Sequence, residues 1–444
     1  MTNPSKTLNY GDLEERQYYI DFTEVRGNNL IKQLKRTITW SDTKQTCQLF
    51  TGHIGCGKST ELLRLKSELE DEGFHVVFFA SSKSLDMADV DISDILLAIA
   101  FQVSRSLEEA GIHLQPTRFQ NFLQGATDLL NSRVTGFKLQ PPKVAGIEMG
   151  EVGITEDADQ YSLSLGIGEI TTRAKDSRDV RSLLREYTEP RVSLILEAMN
   201  KDLLEPAQEQ LQRQHKSGLV VIVDNLDRID NRVRTPGRTT SEYLFVDRGE
   251  QLNQLKCHVV YTIPLVLKFS GELGRLTNRF GQDPYLLPMV RIQERDGRPC
   301  EAGVDRLRQM ILIRAFPDSE PEKRLKLATV IFDQMETLDR LCMISGGHVR
   351  NLLVLLHSCL RQDEPPFSRT LIEEVINQRR NDLVNAISPQ EWKLLYQVLQ
   401  NKAVQGEDSY QDLIKSLFVF EYRDDNGSWF DVNPILLEAR QLQQ

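Results

Sequence analysis

The stretch that decides the fold is residues 45–73, QTCQLFTGHIGCGKSTELLRLKSELEDEG. An apolar run of strand length leads into a glycine-rich turn. A periodic segment follows in which Leu62, Leu65 and Leu69 share one helical face, and Gly73 stands where a left-handed cap is wanted. Gly52, His53, Ile54, Gly55, Cys56, Gly57, Lys58 and Ser59, with Thr60 next, fit G-x-x-x-x-G-K-[ST]. In this pattern the glycines let backbone N–H groups curl around a β-phosphate and the lysine neutralises β and γ oxygens. The serine binds Mg²⁺, and the helix dipole points at the anion. The expected ligand is ATP with Mg²⁺.

Outward from this loop, residues 75–80 (HVVFFA) form a continuous apolar run that suits a strand buried on both faces of a parallel sheet. Helices are expected at about 92–109 and 117–132. Residues 219–224 (LVVIVD) read as another buried strand, tipped by Asp224, where ligands bind in such sheets and within reach of the metal. The intervening HVVFFA strand implies that the two motif strands are not adjacent, which favours the additional-strand class of P-loop ATPases. Strands at 257–263 and, on the sheet edge, 287–292 complete a doubly wound parallel α/β sheet with helical crossovers.

Residues 134–175 break the rhythm. GIEMGEVGI and YSLSLGIGEITTRA alternate with a period of two and carry several glycines, which reads as a β-hairpin insertion of exposed antiparallel strands. A long helical stretch, about 180–215, is interrupted near Pro190 and Pro206. We read residues 1–304 as the P-loop core containing that insertion, 305–388 as a helical lid, and 389–444 as a separate, winged-helix-like unit. In that last unit two short helices precede LFVFEYRDDNGSWFDV, a hairpin with Asn426-Gly427 in its turn.

The 444 residues carry a formal charge of −10, and no apolar stretch approaches the roughly 20 residues that cross a bilayer. The N-terminus lacks an apolar signal core, so a soluble cytoplasmic protein with no membrane partner is expected. The six cysteines show no zinc-ligand spacing, and neither disulfide nor structural metal is expected. Residues 381–444 hold ten acidic and five basic residues, so nucleic acid is read as an unlikely partner for the winged unit.

The order of these features resembles an AAA+ or STAND-type ATPase: glycine loop, acid-tipped strand, strand ending in Thr262, Arg279-Phe280, and Gly346-Gly347-His348-Val349-Arg350 opening a helix. Asp-x-Leu-Asp-Arg at 224–228 is similar to KAP and STAND ATPases. The helical lid with a terminal winged helix also resembles the archaeal and eukaryotic initiator ATPases. The resemblance implies that Thr262 orients the attacking water, that Arg279 is an arginine finger offered to a neighbouring subunit, and that Arg350 reports the γ-phosphate to the lid. It implies a metal role for Ser59 and Asp224.

One departure matters. AAA+ enzymes usually carry Asp-Glu at the strand end, where this chain has Asp224-Asn225, and Asn cannot accept a proton at neutral pH. Asp227 stands as the substitute base, with slow turnover. The expected function is an ATP·Mg-binding conformational or assembly switch that acts through a protein partner or a homo-oligomer. The alternatives are a nucleic-acid-associated, initiator-like ATPase and a non-hydrolysing ATP-binding adaptor.

Overall fold

The computed structural model describes residues 7–27, 29–41, 45–114, 116–133, 163–234, 237–406 and 408–443. Its centre is a parallel sheet of β1 (Cys47–Gly52), β2 (His75–Ala80), β3 (Leu219–Asp224), β4 (His258–Thr262) and β5 (Tyr285–Leu287), in the order β2-β3-β4-β1-β5. The register aligns Phe50 with Thr262, Val223 with Tyr261 and Ala80 with Asp224, so the carboxyl ends of the central strands finish together.

Alternation along the strands divides the core. Val221, Val223, Val259 and Tyr261 face one apolar layer, while Val220, Ile222, Val260 and Phe50 face the other. The second layer is closed by α1 (Leu30–Thr39) and α2 (Lys58–Asp71), the first by α3 (Ile92–Glu109), α4 (Thr117–Arg133), α5 (Leu163–Asp176) and further helices from 178 to 213.

Three expectations are corrected. The strands bearing the two motifs are separated, but by β4; HVVFFA lies at the outer edge of the sheet and is paired on one side only. The edge strand expected at 287–292 ends at Leu287, because Pro288 has no N–H to extend the ladder. The stretch from Leu163 to Ala174, expected as strand, is helical. Its buried positions, Ile167, Ile170 and Ala174, are spaced by three and four. Gly168 belongs to close helix packing, since a Cβ there would stand 2.8 Å from the ring of Phe101 on α3. The GIEMGEVGI part of the expected insertion lies outside the described residues.

Beyond the sheet, α6 (Glu301–Ala315) and α7 (Val349–Gln362) build an apolar cluster of their own with neighbouring helices. The chain ends in α8 (Pro389–Asn401), α9 (Asp408–Lys415) and the hairpin β6 (Val419–Asp424) with β7 (Gly427–Val432). The hairpin does not stand apart. Phe420, Tyr422 and Trp429 are buried in the same cluster as Leu30, Phe50 and Leu62 of the core. No helix among the described residues is long and apolar enough to cross a membrane.

Candidate functional site

The glycine loop joins β1 to α2 at the carboxyl edge of the sheet. Gly55 has φ +90°, and a Cβ on it would meet His348 at 2.8 Å and Arg350 at 2.9 Å, so only glycine lets the start of α7 pack on the loop. The Arg350 amide donates to the Gly55 carbonyl at 3.2 Å.

Lys58 is buried within the loop. Its Nζ donates to the carbonyls of Gly52 and His53, each at 2.8 Å, and pairs with Asp227 Oδ2 at 2.9 Å. Burial opposes the ammonium, but Asp227 and Asp224 outweigh it and hold the amine above its ordinary range. Burial raises the Asp224 carboxyl above the usual carboxylate range; Ser59, which hydrogen-bonds it, opposes that shift and Asp227 adds to it. Asp224 Oδ1 and Asp227 Oδ1 are buried with no hydrogen-bond partner among the described residues. Such acceptors are costly unless something meets them.

A cavity of about 90 Å³ lies against this group, lined among others by Thr60, Asn225, Arg228 and Arg350. Burial, reinforced by the neighbouring Arg228 charge, holds Arg350 below its ordinary range. Arg314 reaches the same cavity from α6, and burial brings it down to about 10. A second cavity, about 60 Å³, shares Thr60 and Arg314 with the first and is walled by Ile20, Phe22 and Met310. Arg26 sits in its wall, buried, with Nη2 on the Cys56 carbonyl at 2.6 Å and Nε and Nη1 unpartnered among the described residues. Arg228 follows Asp227 directly and could have been read from DNLDR. No periodicity or motif singled out Arg26 or Arg314.

The fit to a nucleotide with a divalent ion is good. Arg228, Arg314 and Arg350 converge with no ion-pair partner among the described residues, and the Ser59 hydroxyl lies beside a buried acid that has a vacant lone pair. No cluster of three His, Cys, Asp or Glu suited to a metal occurs among the described residues. A divalent ion here would be held by Ser59 and Asp224 together with phosphate oxygens, which is how Mg²⁺ is usually bound.

Other expected residues are placed differently. Thr262 is fully buried; its Oγ1 accepts from the Leu226 amide at 2.9 Å and donates to the Val223 carbonyl at 3.3 Å. It ties the end of β4 to the loop that carries Asp227. Arg279 lies away from this cavity on the core surface, where it pairs with Glu250 at 3.3 Å. Asn225 adopts φ +67°, a conformation Asn tolerates better than most residues, and its Nδ2 donates to Ser82 Oγ at 3.2 Å. The Cys56 thiol points inward, 3.9 Å from the Leu287 carbonyl, so Cys56 can serve a ligand through its backbone only.

The loop is also gripped from behind. His53 Nε2 accepts from the Glu421 amide of β6 at 3.0 Å. His348 Nδ1 accepts from Asn351, so its Nε2 carries the proton donated to the Ile54 carbonyl at 2.8 Å. The Phe420 ring stacks on His348 and meets His53 edge-on, with centroids 5.7 and 5.9 Å away. Burial holds both imidazoles below their ordinary range, His348 at about 4, so they are neutral at physiological pH.

No protein-family model matches the chain, and no curated protein matches its sequence. Among solved structures it is similar to the ADP form of the Aeropyrum pernix ORC2 protein, with 11% identity, TM-score 0.40, and coverage of 96% of this chain and 95% of that one. It is similar also to the Aeropyrum pernix ORC1 protein in complex with DNA, with 12% identity, TM-score 0.35 and coverage of 93% and 92%. A third is CDC6p from Pyrobaculum aerophilum, with 11% identity, TM-score 0.34 and coverage of 99% and 96%. The described residues form an α/β core, a five-stranded parallel sheet with flanking helices, followed by helical and C-terminal units. The expectation that nucleic acid is an unlikely partner is corrected: the ORC1 structure is a complex with DNA. A net charge summed over a unit does not describe the particular face that would meet a phosphate backbone.

Proposed function

We propose that the chain is an ATP·Mg²⁺-binding ATPase of slow turnover that works as a nucleotide-controlled switch. The observation that carries this reading is Lys58, tied to two loop carbonyls and to Asp227 beneath a cavity walled by Arg228, Arg314 and Arg350. Lys58 can turn from Asp227 to phosphate oxygens, which leaves Asp227 a free carboxylate beside the γ position. Ser59 and Asp224 would hold the ion, and Mg²⁺ would supply charge neutralisation along the phosphates. The apolar walls at Ile20, Phe22 and Met310 suit the face of a base. Arg350 joins the cavity to α7, so contact with the γ-phosphate would bear on the lid.

Slow turnover follows from Asn225, which offers no base and is engaged with Ser82. Asp227 then takes the base role or orients the water. Asp224→Asn should weaken Mg²⁺-dependent binding, whereas Asp227→Asn should lower turnover and spare affinity. Titration calorimetry with ATP·Mg²⁺ and a phosphate-release assay separate the two. A wild-type chain that gives no binding heat ends this reading.

A second reading, an ATPase that acts on nucleic acid, has on its side that the similar ORC1 protein is in complex with DNA. Duplex affinity that falls steeply with salt and changes between ADP and ATP would favour it. Arg279, at the core surface, fits a contact with a neighbouring copy under either reading.

A further inference from the structure

Three cavities lie in a row along the phosphate loop. The one of about 60 Å³ with apolar walls shares Gly57, Thr60 and Arg314 with the one of about 90 Å³ over Lys58. On its far side the second shares Ile54, Asp227 and Arg228 with a third, of about 230 Å³, lined by the first loop residues, Gly52 and His53, and by Pro264 and Leu265 beyond β4. The row gives a nucleotide its direction. With a base between the apolar walls and the phosphates over Lys58, the γ-phosphate points at the third cavity, and a nucleophile in line with the leaving oxygen comes from there. Asp227 and Arg228 stand on that boundary.

Arg228 differs from the other cations around the loop. Lys58 is engaged with loop carbonyls and Asp227, Arg314 donates to the Met310 carbonyl, and Arg26 donates to that of Cys56. The Arg228 side chain is exposed and has no ion-pair or hydrogen-bond partner among the described residues. Its charge bears on Arg350, so two unpaired guanidinium groups line one cavity. Its backbone, by contrast, is fixed. Arg228 ends the turn Leu226–Arg228, whose first amide is held by Thr262 Oγ1 at 2.9 Å, and its own amide donates to the Asn225 carbonyl at 3.1 Å. A cation on a fixed root, with no partner to leave, can meet negative charge at the γ-phosphate without breaking a contact.

We propose that Arg228 is an arginine finger supplied in cis, a catalytic residue that stabilises the transferring phosphoryl group within a single chain. The proposal rests on the nucleotide reading above. In the step it assists, a water oxygen forms a bond to the γ-phosphorus while the bond from that phosphorus to the β–γ bridging oxygen breaks, and the electron pair leaves with ADP. The proton of the water passes to the Asp227 carboxylate and from there to solvent. Negative charge grows on the bridging oxygen and on the equatorial oxygens, and Arg228, next in sequence to Asp227 on the same boundary, is placed to neutralise it. Arg279, to which the resemblance gives this role, is paired with Glu250 and lines none of the three cavities. The step does not require it.

Titration calorimetry of the full chain with ADP·Mg²⁺, with and without aluminium fluoride as a mimic of the transferring phosphoryl group, tests this separately from turnover. The wild-type chain should bind ADP at least about tenfold more tightly with the fluoride. Arg228→Ala should lose that gain while its ATP affinity stays within about threefold of wild type, and Arg228→Lys, which keeps the charge without the planar fork, should fall between. Phosphate release should drop about a thousandfold in Arg228→Ala, and wild-type turnover per chain should hold constant through roughly a hundredfold dilution. A wild-type chain that binds no nucleotide ends the nucleotide reading and this role together. Nucleotide binding with the same response to fluoride in wild type and Arg228→Ala overturns the role of Arg228 and leaves that reading standing. So does turnover per chain that falls on dilution, because the cation would then come from a neighbouring copy.

Discussion

The phosphate loop is held from two sides that differ in kind. Its front is made of charge and backbone: Lys58 between loop carbonyls and Asp227, with arginines at the mouth. Its back is made of rings: Phe420 between two neutral histidines, with the Glu421 amide on His53 across 368 residues of sequence. The front can exchange partners, because its charged groups are held by an ion pair that another charged group could replace. The back cannot exchange without unpacking a core. A loop built this way can change its contacts while its position stays fixed by the C-terminal hairpin.

Phe420→Ala should break the rear grip at a cost of about 3 to 5 kcal/mol in stability, read by denaturant titration. ATP affinity should fall less than the unfolding free energy, because the variant leaves the charged front intact.

Glu421 sharpens the comparison next. Its carboxyl is fully buried, and burial, only partly opposed by Ser428 and the nearby Arg423 charge, pushes it from 4.5 up to about 8. Between those values the unfolded chain is ionised and the folded one is not. Stability should therefore fall as pH rises from about 4.5 to 8 and level off above. Glu421→Gln should remove that slope and raise stability above pH 8 by up to about 5 kcal/mol, while changing little below pH 4.5. Thermal unfolding of both proteins at pH 5 and 8.5 checks the sign.

Lys58→Ala should break the front alone. Removing a charge-assisted contact is worth about 1.5 to 3 kcal/mol, so calorimetry should show ATP affinity lower by tenfold to about a hundredfold. The hairpin contacts on His53 should persist, and unchanged histidine NMR signals would show it.

The front was legible because its chemistry is local. Glycine, lysine and serine at fixed spacing, a preceding apolar strand and Leu62, Leu65 and Leu69 on one face lead to β1, the loop and α2 as found. The back was not, because nothing in FVFEY says that Phe420 meets a loop more than 360 residues earlier. Thr262 shows an intermediate case. A polar residue at that strand end was readable, but whether its hydroxyl faces a ligand or the Leu226 amide depends on how β3 and β4 lie side by side. The misread of residues 163–174 has a different cause. Glycines in a period-two pattern read as marks of turns and strands, whereas Gly168 lets α5 approach Phe101, and the spacing of Ile167, Ile170 and Ala174 is that of a helix.

The left-handed turn at Asn225 also limits where this sequence can go by mutation. At φ +67° a glutamate would be strained by its Cβ, while asparagine, aspartate and glycine fit. A single substitution to glutamate would have to rebuild the exit of β3 before it could act as a base. Under the proposed function, the backbone would therefore favour slow chemistry over many amino-acid changes, and the residues around Asp227 would be an easier place than position 225 to alter its rate.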